Sequence, residues 1–141
     1  MTTVALDSNI LIYILDDASP FSKPAQELLK RLESTEASVY LSTVARTEIL
    51  HRPYQVSVEI GDKTKQFLSS FGFISFVSVS EEIADKAAEL CAKVGAKLKS
   101  IDSIHLATAL DSGATEFWTN DHELLKVQIH GLVIKSLDDI K

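Results

Sequence analysis

Residues 2–15 read Thr2-Thr3-Val4-Ala5-Leu6-Asp7-Ser8-Asn9-Ile10-Leu11-Ile12-Tyr13-Ile14-Leu15, and their order decides the fold. A short apolar run ends in Asp7, and a stretch of helical period follows at once. A strand that feeds directly into a helix is the opening half of a β-α-β unit. The same alternation continues along the chain. Strands are expected over residues 3–7, 38–41, 73–79, 116–119 and 132–135. Helices are expected over 8–15, 22–33, 44–52, 54–70, 81–94 and 101–110, with a short turn after Asn120. The pattern predicts an α/β fold with a central, mainly parallel sheet of about five strands.

The expected helix over 81–94 shows the period most clearly. Ile83, Ala87, Leu90, Cys91 and Val94 form one apolar stripe, while Glu82, Asp85, Lys86, Glu89 and Lys93 take the remaining positions. Cys91 therefore reads as core filler. Pro53 is expected to separate two helices, because it disfavours helical geometry at Arg52 and suits the first turn of the next helix. The product would be a helical hairpin. The five glycines are scattered, so no phosphate-cradling loop is present.

Composition narrows the function classes. With 141 residues, 45% of them hydrophobic and 24% charged, the chain suits one ordinary domain and excludes disordered and collagen-like classes. A domain near this length buries roughly 70% of the surface of its unfolded chain, so core packing alone can hold it. One cysteine excludes disulfide scaffolds and Cys-rich zinc modules, and a reducing, cytoplasmic setting is expected. Residues 1–17 have no basic residue before the apolar stretch and meet Asp7 early, which is unlike a signal peptide. A net charge of −6 argues against a broad basic nucleic-acid face. It is compatible with a nucleic-acid enzyme whose excess acid sits in a metal site.

The informative acids are those at element boundaries. Asp7 ends the first strand and Asp121 follows the fourth, so both belong at the carboxyl edge of a parallel sheet, where ligands bind. Asn120 through Glu123 has capping-box spacing. Asp102 follows Ser100, a good N-cap, and falls in a first helical turn whose dipole favours the ionised form. Glu48 lies about two turns into the third helix among apolar or small neighbours, so it faces inward or toward a cleft and needs a partner. Four carboxylates converging on one edge would repel one another, and a divalent cation relieves that repulsion. Magnesium and manganese take oxygen ligands and keep waters, which suits phosphodiester hydrolysis, with two such ions a known arrangement for it.

Each acid also has a plain structural reading. Asp7 and Asp121 serve as N-caps in many folds, Asp102 suits a helix start, and Glu48 could pair with Arg52 at i,i+4. The four together weigh toward metal. His51 and His105 each follow an acid by three residues, as in di-iron bundles, but such bundles need every ligand on a helix, and Asp7 and Asp121 follow strands. His105 is expected behind the ligands or in the core, and His51 in a groove or at the surface. His122 and His130 are expected to be solvated. Trp118 is expected to pack in the core rather than stack on a base. Arg46, Arg52, Lys97 and Lys99 are the candidates for phosphate-backbone contacts.

Four blocks, Asp7 through Ile12, Ser42 through Glu48, Asp102 through Ala109 and Thr119 through Asp121, resemble in order and spacing the signature blocks of PIN-domain ribonucleases, along the whole chain. Among these, the chain is most similar to the small VapC-type toxins of toxin–antitoxin pairs. The resemblance implies a three-layer α/β/α PIN-like fold occupying 1–141 as a single domain. It further implies a metal-dependent endoribonuclease, with Asp7, Glu48, Asp102 and Asp121 binding magnesium (manganese able to substitute) and Asn9 and Thr119 orienting them. RNA as substrate, a cognate antitoxin as inhibitor and a homodimer built partly on the hairpin at 54–71 are implied in the same way. One departure is that many relatives carry a small residue or glycine after Glu48, where this chain has His51-Arg52-Pro53, a difference that bears on groove shape and RNA preference.

Competing functions fit less well. A haloacid-dehalogenase-type phosphatase needs an acid two residues after Asp7, where Asn9 stands, and a receiver domain needs its acidic pair beside the first strand, whereas Asp16-Asp17 comes a helix later. A non-catalytic PIN-like binding module would be expected to lack one or more of the four acids. A PIN nuclease of RNA processing shares every feature above and differs only in its substrate.

Overall fold

The computed structural model describes residues 2–95 and 98–140. Its elements run β1 (Thr3–Leu6), α1 (Ser8–Leu15), α2 (Ser22–Ser34), β2 (Ser38–Ser42), α3 (Val44–Val56), α4 (Val58–Ser69), β3 (Ile74–Val77), α5 (Glu81–Val94), α6 (Ser100–Asp111), β4 (Glu116–Trp118), α7 (His122–Leu125) and β5 (Val133–Lys135), followed by a 3-10 turn at Leu137–Asp139. The five strands form one parallel sheet in the order β3-β2-β1-β4-β5. Strand order reverses direction beside β1, so the crevice between the carboxyl ends of β1 and β4 is the topological switch point.

Side-chain alternation along the strands divides the core in two. Val4 and Leu6 of β1, Val39 and Leu41 of β2 and Trp118 of β4 pack with Ile10 and Leu11 of α1, Leu28 and Leu32 of α2 and Ile49 of α3. Ala5 and Phe117 point the other way, into a cluster with Ile83 and Leu90 of α5, Leu106 of α6 and Leu124 of α7. The result is a three-layer α/β/α sandwich. Cys91 sits half-buried at the edge of the second cluster, with its Sγ 3.7 Å from the Leu98 carbonyl. Trp118 is 6% exposed in the first and donates through its indole to Glu116.

Pro53 does not end a helix. The helix α3 runs through it to Val56, and the break comes at Ser57. There the backbone is extended (φ −170°, ψ 160°) and the hydroxyl accepts from the Ile60 amide, capping α4. An interior proline costs roughly 3 kcal/mol by losing a donor and crowding the preceding turn. Packing within the α3–α4 hairpin offsets that cost: the Tyr54 ring lies where a side chain on Gly61 would otherwise be, and its hydroxyl donates to Asp62 at 2.8 Å. Among the described residues, no helix is long and apolar enough to cross a membrane.

Candidate metal centre

Asp7 and Thr119 each lie one residue beyond a strand, and the Asp7 amide donates to the Trp118 carbonyl at 2.9 Å, which joins the two chain segments at the switch point. Asp7 is 5% exposed. Its Oδ1 accepts from the Ser8 amide at 2.8 Å, so the capping role is real. Its Oδ2 accepts from the Thr119 hydroxyl at 2.8 Å and, at the longer distance of 3.5 Å, from the Asn9 amide. Thr119 Oγ1 also accepts from Asn9 Nδ2 at 3.3 Å and from the Asp121 backbone at 3.1 Å. The two residues expected to orient the site thus sit in one network with Asp7.

Glu48 reaches the same place from α3 and meets His105 of α6, with Nε2 and Oε1 2.7 Å apart. Glu48 is exposed at the cleft rather than turned into the core, and its partner is this histidine rather than Arg52. His105 is 2% exposed, and its Nε2 lies 3.7 Å from Asp7 Oδ1. One ligand atom from each of Asp7, Glu48 and His105 falls within 4.8 Å of the others. Asp102 and Asp121 stand outside that tight group.

Asp102 is half-buried in the first turn of α6. The N-cap of α6 is Lys99, with no side-chain cap bond, and Ser100 is already helical, so the helix starts one residue earlier than expected. Asp121 is itself the N-cap of α7, accepting from the Glu123 amide at 2.9 Å. The expected cap at Asn120 is displaced because Thr119 holds the Asp121 amide and fixes the turn one residue later.

Electrostatics tie the four acids together. Burial pushes the Asp7 carboxyl above the ordinary range, against the pull of His105, Thr119 and Ser8 and with a further push from Glu48. Asp102 is raised first by burial and then by the negative charges of Asp7, Asp121 and Glu48. Glu48 is lowered, chiefly by the His105 hydrogen bond. For His105, burial opposes the charged form, but the Glu48 bond and the charges of Asp7, Glu48 and Asp102 together raise it.

A hard divalent cation fits this donor set. Carboxylates that raise one another's proton affinity are relieved by a bound cation. Asn9 Oδ1, buried without a partner, is a further oxygen donor at the same spot.

His105 is the site member that sequence placed only behind the ligands or in the core. The available signal was its position one turn after Asp102 on a helix whose start faces the site. Of the phosphate-contact candidates, Arg46 lies 4.8 Å over the Phe76 ring, Arg52 and Lys99 are exposed, and Lys97 lies outside the described residues. His51, His122 and His130 are exposed.

The PIN-domain family profile matches residues 4–129. No curated protein sequence matches this chain. Solved structures share the fold. A toxin–antitoxin complex from Klebsiella pneumoniae is 23% identical, with TM-score 0.68, over 92% of this chain and 95% of that one. VapBC2 from Rickettsia felis, bound to a DNA fragment of its promoter, is 14% identical, with TM-score 0.72, over 96% and 98%. VapC20 of Mycobacterium tuberculosis, described as a sarcin-ricin loop cleaving toxin, is 13% identical, with TM-score 0.66, over 84% and 90%.

Proposed function

Because this chain belongs to the PIN-domain family, we propose that it is a magnesium-dependent endoribonuclease, the toxin of a VapBC-type toxin–antitoxin pair, with residues 1–141 as one catalytic unit. Manganese is expected to substitute for magnesium. The observation that carries the reading is the convergence at the switch point, where ligand atoms of Asp7 and Glu48 lie within 4.8 Å of each other and of His105. A cytoplasmic homodimer with a cognate antitoxin as inhibitor completes the proposal. The antitoxin partner is supported by the toxin–antitoxin assemblies among the structural neighbours.

Asp7, Glu48, Asp102 and Asp121 would hold the cation. When bound, a divalent ion supplies charge neutralisation at a phosphoryl oxygen and lowers the pKa of water. The chain's own work is orientation. Thr119 and Asn9 hold Asp7 Oδ2, the Ser8 amide holds Oδ1, and the near-complete burial of Asp7 keeps water from competing for these bonds. Asp121 is fixed by capping α7 through Oδ1.

The test uses wild-type and Asp7→Asn protein, purified identically and incubated with structured and single-stranded RNAs in magnesium, manganese or EDTA. Cleavage should appear in wild type and vanish with EDTA or the substitution. Equal cleavage by both proteins would place the activity elsewhere.

A further inference from the structure

Resting on the metal-site reading above, we propose that His105 is a positioning residue: its Nε2–H holds the Glu48 carboxylate in place for the cation, and His105 does not itself bind the metal. The 2.7 Å separation between Nε2 and Glu48 Oε1 requires a proton between them, because a bare imidazole lone pair would face carboxylate lone pairs at that distance. With Glu48 in the carboxylate form that a cation requires, that proton belongs to Nε2. Ligation through Nε2 would remove that proton, break the Glu48 bond and move the ring hydrogen to Nδ1.

Nδ1 is buried and has no partner. Histidines that bind metal almost always donate their other ring N–H to a carboxylate, carbonyl or water, and among the described residues none accepts from Nδ1. An N–H left unpaired there would carry its full desolvation penalty. The oxygen-rich surroundings agree, since a magnesium-type ion prefers Asp7 and Glu48 to imidazole.

Glu48 needs such a clamp. Its side chain is 37% exposed and comes from α3, whereas the side chain of His105 on α6 is fully enclosed. The exposed ligand is thus held by an enclosed one-donor arm that crosses from another helix. Asp7, by contrast, is held by its own chain neighbours and by Thr119.

The experiment combines two measurements. Binding of Mn2+ by titration calorimetry compares wild type with Asp7→Asn, His105→Gln and His105→Leu. Imidazole 1H–15N correlation spectra of wild type, recorded with and without Mg2+, report the proton on Nε2. Glutamine keeps a donor near the Nε2 position, so His105→Gln should bind within about threefold of wild type, while His105→Leu should weaken binding about 10- to 100-fold. Nε2 should keep its proton when Mg2+ is added. The positioning role is overturned if His105→Leu binds as tightly as wild type, or if Nε2 loses its proton to the metal and His105→Gln binds as poorly as leucine. Those failures leave Asp7→Asn defective. If Asp7→Asn also binds like wild type, the metal-site reading itself is wrong.

Discussion

Asp7 and Asp102 are carboxylates at the same sheet edge, yet they are held by different means. Asp7 is dry, bonded to Ser8, Thr119 and Asn9, and continuous with the buried His105, which holds the more exposed Glu48. Asp102 is half-buried and is pushed upward by burial and by its neighbours' charges, and Asp121 beside it is half-buried and committed to capping α7. One half of the site is ordered by hydrogen bonds before any ligand arrives, and the other stays open to solvent. This division suits a site that must keep a cation in register while admitting a long, charged polymer.

The strongest way to break the comparison is at its dry end. Asp7→Asn should reduce RNA cleavage by about a thousandfold or more, the scale of losing several kcal/mol of transition-state stabilisation. Its metal-free melting temperature should hold or rise, because a buried, raised carboxylate is replaced by a neutral isostere. Calorimetry showing a clear fall would mean that the carboxylates do not strain one another.

At the open end, charge and capping can be separated. Asp121→Asn should lower cleavage about 100-fold, while metal-free stability stays within a few tenths of a kcal/mol, since asparagine caps as well as aspartate. Asp121→Ala should show the same loss of cleavage and a further cost of about 1 kcal/mol from the lost bond to Glu123. Chemical denaturation distinguishes them, and matching stabilities for the two variants would remove the capping role.

The dry half also predicts a pH dependence. His105 and Asp7 are both raised in the folded, metal-free protein. The folded state therefore binds these protons more tightly than the unfolded chain does, and that stability is lost as pH rises through the folded values. Melting temperature without metal should fall between about pH 6 and pH 8, with His105 as the group titrating above its usual value. Added Mg2+ should flatten or reverse the slope. Glu48, lowered by His105, works in the opposite sense and only at acid pH, where its bond is lost. A melting profile that rises over this range without metal would contradict the direction assigned to His105.

These contrasts were unevenly legible in the sequence. The alternation of strand and helix, the position of Asp7 after β1 and the core role of Trp118 follow from periodicity and local chemistry, which span only a few residues. The Glu48–His105 bond joins residues 57 apart, and no local rule chooses between His105 and Arg52 as the partner. Pro53 misleads for a related reason, because its local preference to end a helix is overridden by the packing of Tyr54 against Gly61 across the hairpin. The cap expected at Ser100 falls one residue earlier, at Lys99, and the cap expected at Asn120 one residue later, at Asp121, where a tertiary bond from the Asp121 amide to Thr119 sets the helix start.

The smallest effect is expected away from both halves, at the hairpin. An alanine Cβ at Gly61 would fall on the Tyr54 ring, against Cδ1, Cε1 and Cγ, so Gly61→Ala must displace a whole ring rather than a side-chain tip. Overpacking of this kind costs about 1–3 kcal/mol, and helix propensity returns up to about 1 kcal/mol, which leaves a net loss of about 1 kcal/mol. In a Tyr54→Ala background the ring is gone and only the propensity gain remains, so the same Gly61→Ala change should stabilise. This reversal of sign in a double-mutant cycle tests the close approach itself. Metal affinity should be unchanged in all three proteins, because no site hydrogen bond involves Tyr54 or Gly61. A loss of affinity accompanying the loss of stability would show that the hairpin, through α3, sets the position of Glu48, and the dry half of the site would then extend into α4.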